Sequence, residues 1–276
     1  KKNWCKVFEK TIDKILSKQE RMEYKIFIRS YKKEIQIIRK KIHLLLNKKE
    51  IIKSKDGHSI NLDAIIDNYV CIKNSTHAIK LYQYKSKKQR DLYFLLLFDS
   101  SMSTDTYINN KKTIEIIKEL TLFISLGFEN LIKYEIATFH SNTRHDCRYY
   151  KLKNSNEKIS KKAHIILNTN TTGYTRIGPS LRHSINIIKK RKEKNRIIIL
   201  ITDGTPTDYD EYEGEYGSKD IKATIKEANK FNIEIKTIVT NKEDKLYLRN
   251  MFGLNNYITT NKISPQKLIN IFKNII

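Results

Sequence analysis

The sequence predicts a doubly wound α/β fold, a mostly parallel sheet with helices on both faces, preceded by N-terminal helices. From Asp91 onward, short apolar runs alternate with segments of helical periodicity. Two of the runs, residues 93–98 and 196–202, are apolar almost throughout, which is typical of strands buried on both faces. The helical segments between strands are long enough to be the crossover connections that join parallel strands.

Before Asp91, the sequence predicts helices, a boundary segment and a linker, in that order. Apolar residues recur at helical spacing from Trp4 to Leu16 and again from Tyr24 to Leu46, so both series predict helices. The lysine-rich residues 48–55 mark a boundary after the N-terminal helices. A short helix capped by Asn61 is predicted at residues 61–69, and an extended segment leading into the α/β domain is predicted at residues 80–90. These features divide the chain into a helical N-terminal region, a linker and an α/β domain, at residues 1–55, 56–90 and 91–276.

Six strands and six helices follow in the predicted α/β domain. The strands are expected at residues 93–98, 133–139, 148–152, 196–202, 233–239 and 257–259. The helices are expected at residues 113–127, 157–167, 178–190, 218–231, 242–251 and 265–275. A sheet of this kind binds ligands in the crevice beyond the carboxyl ends of its strands, so the site is expected there.

Overall charge is the most conspicuous compositional feature, with 54 Lys and Arg against 30 Asp and Glu and a net charge of +24. A basic nucleic-acid-binding protein is therefore one alternative. The excess is spread along the chain, +15 in residues 1–90 and +9 in residues 91–276, without an arginine-rich stripe interleaved with aromatic residues. We expect no nucleic-acid partner.

Cysteine usage and hydropathy exclude further classes of protein. Three cysteines, Cys5, Cys71 and Cys147, lie far apart without a C-x-x-C pair, which fits neither a disulfide framework nor a zinc site. That pattern is typical of a reducing compartment, and we expect a cytoplasmic protein. No apolar stretch approaches the roughly 18 residues of a membrane-spanning helix, so none is expected.

Oxygen-bearing side chains follow both of the most apolar strands. The first strand leads into Asp99-x-Ser101-x-Ser103, the second ends in Thr202-Asp203-Gly204, and Thr175 lies in a glycine-flanked loop between them. Two carboxylates and three hydroxyls form a hard-oxygen set, which suits Mg²⁺, with Ca²⁺ or Mn²⁺ possible. The sequence therefore predicts a metal site at Asp99, Ser101, Ser103, Thr175 and Asp203.

A local inversion of charge begins at the same aspartate. Residues 203–216 contain six acidic residues and no Lys or Arg, which predicts an acidic, tyrosine-rich loop beside the cation. A binding surface for a partner and an ordinary solvated loop are the two interpretations, and we favour the first. Predicted partner-binding residues are Asp208, Tyr209 and Glu213 of this loop, with Arg144 and Arg176; an internal ion pair is the alternative for the two arginines.

If the chain is an enzyme, a metal-dependent phosphohydrolase is the alternative to a binding protein. Phosphatases that place an aspartate after an apolar strand use D-x-D, whereas position 101 is a serine here. The loop at Gly173 has P-loop glycine spacing, but Pro179 stands where a lysine is required. Because the five predicted ligands are neutral or acidic and no nucleophile is identifiable, we expect the site to bind a partner and not to catalyse a reaction.

The ligand set resembles the metal-ion-dependent adhesion site (MIDAS) of von Willebrand factor A domains, which uses these residue types in this order. The resemblance covers residues 91–276 and implies a Rossmann-like, doubly wound fold. From about residue 56, the chain is also similar to the NorD/CbbO family, in the acidic loop, in residues 139–150 and in residues 175–183.

The narrower resemblance implies partners. Members of the NorD/CbbO family work with a MoxR-type AAA+ ATPase to activate a large metalloenzyme, which is nitric oxide reductase for NorD and Rubisco for CbbO. The resemblance implies that the A domain holds an acidic residue of its target through the bound cation, while the ATPase supplies force. It does not choose between the two targets.

Overall fold

A computed structural model describes residues 5–13, 17–47, 49–56, 59–67, 80–87, 91–241 and 245–273. Trp4, Leu16, Cys71 and the last residues of the predicted closing helix lie outside the described residues. The chain forms two compact units: Lys1–Ile42 together with Asp91–Ile276, and His43–Arg90.

The described residues contain twelve strands and nine α-helices. The strands are β1 (Val7–Thr11), β2 (Lys49–Ser54), β3 (Ser59–Ile60), β4 (Tyr82–Lys87), β5 (Leu92–Asp99), β6 (Tyr107–Ile108), β7 (Lys111–Lys112), β8 (Lys133–Thr143), β9 (Asp146–Lys153), β10 (Asn195–Thr202), β11 (Ile233–Val239) and β12 (Tyr257–Thr259). The helices are α1 (Lys18–Ser30), α2 (Lys32–Leu46), α3 (Leu62–Asp67), α4 (Thr113–Phe128), α5 (Ile159–Leu167), α6 (Ile177–Ile188), α7 (Gly214–Asn229), α8 (Lys245–Phe252) and α9 (Pro265–Lys273). A short 3₁₀-helix, Met102–Asp105, follows β5.

Seven strands form the central sheet of the first unit, in the order β1-β9-β8-β5-β10-β11-β12. Five neighbouring strands are parallel to one another: β8, β5, β10, β11 and β12. β9 runs antiparallel to β8, and β1 pairs with β9 in parallel. β5 and β10 are neighbours at the centre, and every residue of β5 is buried. The aspartates that follow these two apolar strands therefore lie side by side at one edge of the sheet.

Helices cover both faces of this sheet. Alternate β5 residues Tyr93, Leu95 and Leu97 join a buried cluster with residues of α6, α7 and α8. Phe94 points to the opposite face, where its ring centroid lies 4.6 Å from that of Phe128 in α4 and 6.5 Å from that of Phe272 in α9. The predicted doubly wound α/β fold is confirmed.

The first predicted helical series is wrong where the structure describes it. Val7–Thr11 is a strand that pairs along its whole length with β9, from Val7 opposite Cys147 to Thr11 opposite Lys151. It is held by main-chain hydrogen bonds and by a Glu9–Lys151 ion pair of 2.8 Å. Because only Val7 of this strand is even partly buried, its apolar pattern gave no strand signal.

The second predicted helical series is confirmed as α1 and α2. Ile38 and Ile42 of α2 are fully buried. They pack against Gly127 of α4, where an added Cβ would lie 3.2 Å from a methyl group of each. Glycine at this position therefore allows α2 to approach α4 closely.

The described residues of the second unit form a small antiparallel sheet, the short helix α3 and the last residues of α2. Its strands lie in the order β2-β4-β3, so the lysine-rich boundary segment and the extended lead-in are strands of one sheet. Asn61 caps α3, since its Oδ1 accepts a hydrogen bond of 2.9 Å from the Ala64 N–H, as predicted.

Among the described residues, no helix has both the length and the apolar character needed to cross a bilayer.

Candidate metal centre

The five predicted metal ligands converge at the carboxyl ends of β5 and β10. Ser101 Oγ lies 2.9 Å from Ser103 Oγ and 2.6 Å from Thr175 Oγ1. Thr175 Oγ1 is in turn 3.1 Å from Ser103 Oγ. Three hydroxyls from two segments more than 70 residues apart thus form one triangle.

Main-chain hydrogen bonds hold the three loops of the site together. The Met102 N–H donates to the Gly173 carbonyl at 2.9 Å. On the other side, Thr175 and Thr207 exchange hydrogen bonds of 2.7 and 3.0 Å between their main chains. Gly173 has φ of +65° and lies against the Ser141 carbonyl, so a side chain at this position would be strained and would clash. The loop that presents Thr175 is therefore fixed from both sides.

Both carboxylates of the site are buried. Asp99 Oδ1 accepts a hydrogen bond of 2.9 Å from the Ser101 N–H, and Oδ2 accepts one of 2.8 Å from Thr202 Oγ1. Asp203 Oδ1 accepts a hydrogen bond of 3.3 Å from the Thr205 N–H. Burial and the neighbouring Asp203 carboxylate raise the pKa of Asp99 to about 7, and burial also raises the pKa of Asp203.

This donor set fits a hard divalent cation. Two buried carboxylates repel each other when both are ionised, and a cation between them would remove that cost. Among the described residues, no group of three or more His, Cys, Asp or Glu side chains is placed to hold a metal, and the predicted set contains only two carboxylates beside its three hydroxyls. Oxygen-only coordination is typical of Mg²⁺, Ca²⁺ and Mn²⁺.

The acidic loop is anchored by a buried ion pair. Arg176 Nε donates to Asp208 Oδ2 at 2.6 Å, and the Arg176 guanidinium carbon lies 4.4 Å from the centre of the Tyr212 ring. Asp208 Oδ2 also accepts a hydrogen bond of 2.9 Å from Ser141 Oγ. Arg176 and Asp208 are both buried, so the internal ion pair that was the alternative for Arg176 is the arrangement in this structure, and contact of either residue with a partner stays a prediction.

The other predicted partner-binding residues are exposed. Tyr209 is 76% exposed, and Glu213 and Arg144 are also on the surface. The Arg144 main chain is tied to the acidic loop, because its N–H donates to Asp210 Oδ2 at 3.0 Å. Met102, next to two predicted ligands, is 64% exposed. These side chains form a rim that a partner can reach, and their role in binding stays a prediction.

Two further residues support the site without having been assigned to it from the sequence. The Thr202 hydroxyl lies between the carboxylates, 2.8 Å from Asp99 Oδ2 and 3.4 Å from Asp203 Oδ1. The Tyr212 hydroxyl donates to Asp220 at 2.6 Å and accepts from the Gly178 N–H at 3.2 Å, which ties the acidic loop to the start of α6. Thr202 had a sequence signal, its place directly before Asp203, whereas Tyr212 had none beyond membership of the loop.

Comparison with known proteins gives the family and relatives of the chain. The family model of the von Willebrand factor type A domain matches residues 91–273. Among curated proteins, NorD of Brucella abortus (strain 2308) is 26% identical over 227 residues, or 81% of this chain. NorD of Stutzerimonas stutzeri is 29% identical over 219 residues, or 78% of this chain.

The relatives are much longer than the region that matches. The matched region spans 36% of the length of each of these two NorD proteins. Among solved structures, the PilB minor pilin from Streptococcus sanguinis superposes with a TM-score of 0.51 at 14% identity, covering 73% of this chain and 66% of that one. At that identity the likeness concerns the fold alone.

Proposed function

The chain belongs to the von Willebrand factor type A domain family, and from that premise we propose that it is a protein-binding adaptor that holds a carboxylate of its target through a divalent cation. The observation that carries the proposal is the convergence of Asp99, Ser101, Ser103, Thr175 and Asp203 at one edge of the sheet. We propose Mg²⁺ as the resident ion, with Ca²⁺ or Mn²⁺ as substitutes.

The ligands of this chain explain why the target would contribute a carboxylate. Asp99 and Asp203 supply at most two negative charges, and the hydroxyls of Ser101, Ser103 and Thr175 supply neutral oxygens. Mg²⁺ prefers six oxygen ligands, so five side chains leave room for one more. An incoming carboxylate can supply that remaining oxygen as a hard ligand.

The rim adds a second element of recognition. Tyr209 and Met102 are exposed apolar or aromatic side chains beside the proposed cation, and Glu213 and Arg144 are exposed charges. Aromatic side chains at the centre of an interface often contribute most of its binding energy. We propose that the cation fixes the carboxylate of the target and that the rim selects the segment around it.

Similarity to NorD proteins supports an activating role. We propose that the chain works with a MoxR-type AAA+ ATPase to activate a large metalloenzyme, either nitric oxide reductase or Rubisco, in the cytoplasm. In this arrangement the chain itself performs no chemistry: it binds the target and transmits the action of the ATPase.

A binding assay tests the proposal. The full chain is immobilised and presented with the MoxR-type ATPase and the candidate metalloenzyme of the same organism, in the presence of Mg²⁺. We expect the metalloenzyme to be retained, released by EDTA and recaptured when Mg²⁺ is restored. Asp99→Ala should lose this capture while its circular dichroism spectrum stays that of a folded protein.

A matched variant separates loss of the site from general damage. Asp91→Ala removes an exposed carboxylate at the amino end of the same strand, far from the site, and should leave capture unchanged. Retention of the metalloenzyme by Asp99→Ala, or retention that survives EDTA, would contradict the proposed bridge.

A further inference from the structure

Two cysteines that are remote in the sequence meet at the edge of the central sheet. β1 is parallel to β9, with Val7 opposite Cys147. The Cys147 N–H donates to the Lys6 carbonyl at 3.0 Å, and the Lys6 N–H donates to the Arg144 carbonyl at 2.9 Å. Cys5 directly precedes Lys6, so these bonds bring it close to Cys147 on the neighbouring strand, and the two thiols shift each other's pKa.

The two thiols have different surroundings. Cys147 is fully buried, with its Sγ 3.6 Å from the Thr143 carbonyl. Cys5 is partly exposed, which makes it the more accessible residue of the two. Both are free thiols in this structure. One accessible sulfur in contact with one buried sulfur is the arrangement of a reacting thiol and a resolving thiol.

Nearby charges favour the thiolate of Cys5. A hydrogen bond from the Cys147 thiol, aided by the positive charge of Arg176, lowers the pKa of Cys5 to about 7, although burial and Asp220 oppose the shift. The same hydrogen bond, together with burial, raises the pKa of Cys147. Thiolates react with peroxides and thiols do not, so the accessible sulfur is also the reactive one.

We propose that Cys5 and Cys147 form a reversible disulfide when hydrogen peroxide reaches the protein. The Cys5 thiolate attacks one peroxide oxygen, the O–O bond breaks, and hydroxide leaves, so that Cys5 becomes a sulfenic acid. The Cys147 sulfur then attacks the Cys5 sulfur, the S–O bond breaks, and water leaves with the thiol proton. Two electrons pass from the two sulfurs to the peroxide, and a cellular dithiol returns them by thiol–disulfide exchange.

The disulfide would join β1 covalently to the strand beside it. β1 is an edge strand in which four of five residues are exposed. Its side-chain anchors within the described residues include the ion pair of Glu9 with Lys151 and the contact of Glu9 with His183 at 2.7 Å. A covalent bond at its amino end would suppress opening of the strand away from β9.

Peptide mapping tests the proposal directly. The full, reduced chain is treated with hydrogen peroxide, quenched with an alkylating reagent and digested without reductant. We expect a Cys5–Cys147 cross-linked peptide pair, an intact mass lower by two hydrogens, and complete reversal by dithiothreitol. Amide hydrogen exchange in β1 should slow by about tenfold in the oxidised protein.

Single cysteine variants make the outcome decisive. Cys71→Ser should form the same cross-link as the native chain, whereas Cys5→Ser, which alters only a partly exposed side chain, should form no intramolecular disulfide. A cross-link that involves Cys71, an intermolecular dimer through Cys5, or progression of Cys5 to sulfinic acid with Cys147 still alkylated would overturn the proposal.

Discussion

Arg176 Nε lies 2.6 Å from Asp208 Oδ2, and the two side chains are 2% and 0% exposed. Arg176 directly follows the proposed metal ligand Thr175, and Asp208 directly follows Thr207, whose main chain pairs with that of Thr175. The ion pair therefore joins the two loops on the Asp203 side of the site. A buried ion pair of this kind gives the acidic loop a fixed position relative to the ligands.

Removal of Arg176 is expected to leave Asp208 as an unpaired buried charge. Arg176→Met should lower the free energy of unfolding by about 3–5 kcal/mol, the usual effect of breaking one side of a buried pair. Urea denaturation followed by circular dichroism measures this. Arg144→Met, at an exposed arginine near the same loop, should change it by less than about 0.5 kcal/mol. Equal effects of the two variants would show that the buried pair does not hold the loop.

Loss of one hydroxyl ligand should weaken cation binding selectively. Thr175→Ala removes an oxygen from the triangle with Ser101 and Ser103, and we expect Mg²⁺ affinity to fall by at least about tenfold, since even partners outside the coordination sphere have effects of that size. Thr175→Ser should restore most of it. Isothermal titration calorimetry gives both values.

Ser100 supplies the control for that experiment. Its hydroxyl is buried beside the ligands but donates to the Phe139 carbonyl at 3.1 Å instead of joining the triangle. Ser100→Ala should therefore retain native Mg²⁺ affinity. If Ser100→Ala and Thr175→Ala weakened binding equally, the hydroxyl triangle would not be the coordinating group.

Partner selection should depend on the rim without affecting the cation. Tyr209 is 76% exposed, and Tyr209→Ala should weaken capture of the target by about tenfold or more at unchanged Mg²⁺ affinity. Phe231→Ala removes a 38% exposed aromatic side chain at the opposite edge of the sheet and should leave capture unchanged. Surface plasmon resonance compares the variants. Equal capture by Tyr209→Ala and the native chain would exclude the rim from the interface.

Stability should rise in alkaline solution because of one buried lysine. Burial lowers the pKa of Lys153 from 10.5 to about 8. Between these two values the unfolded chain binds more protons than the folded chain, so the free energy of unfolding increases with pH across that window and is lowest below it. Lys153→Met should lack this rise. Urea denaturation from pH 7 to pH 10 measures the difference between the two proteins, and parallel curves would contradict the assigned pKa.

The central strands and their aspartates could be predicted because the determining interactions are local in sequence. All eight residues of β5 are buried, so the strand is recognisable as an uninterrupted apolar run, and Asp99 marks its end. β10 shows the same signal in its last six residues, which are all buried, and Asp203 directly follows it. Parallel pairing of the two strands then brings the carboxylates together without any further information.

Other features depend on contacts that no local pattern reports. β1 has a burial pattern with one partly buried residue and four exposed ones, and its strand conformation comes from pairing with β9, more than a hundred residues away. Arg176 and Asp208 are charged residues in loops, and only their mutual contact makes burial tolerable. Contact between Cys5 and Cys147 likewise follows from the position of β1, so it was invisible before that strand was placed.

Direct detection of the bound ion tests the central claim. Mn²⁺ is titrated into the native chain and into Asp99→Asn, and free Mn²⁺ is measured by electron paramagnetic resonance. We predict one ion bound per native chain, displaced by excess Mg²⁺, and at least a hundredfold weaker binding by Asp99→Asn, about 2.7 kcal/mol of lost affinity. Equal binding of Mn²⁺ by the two proteins would contradict a cation site at Asp99 and with it the proposed bridge to a target.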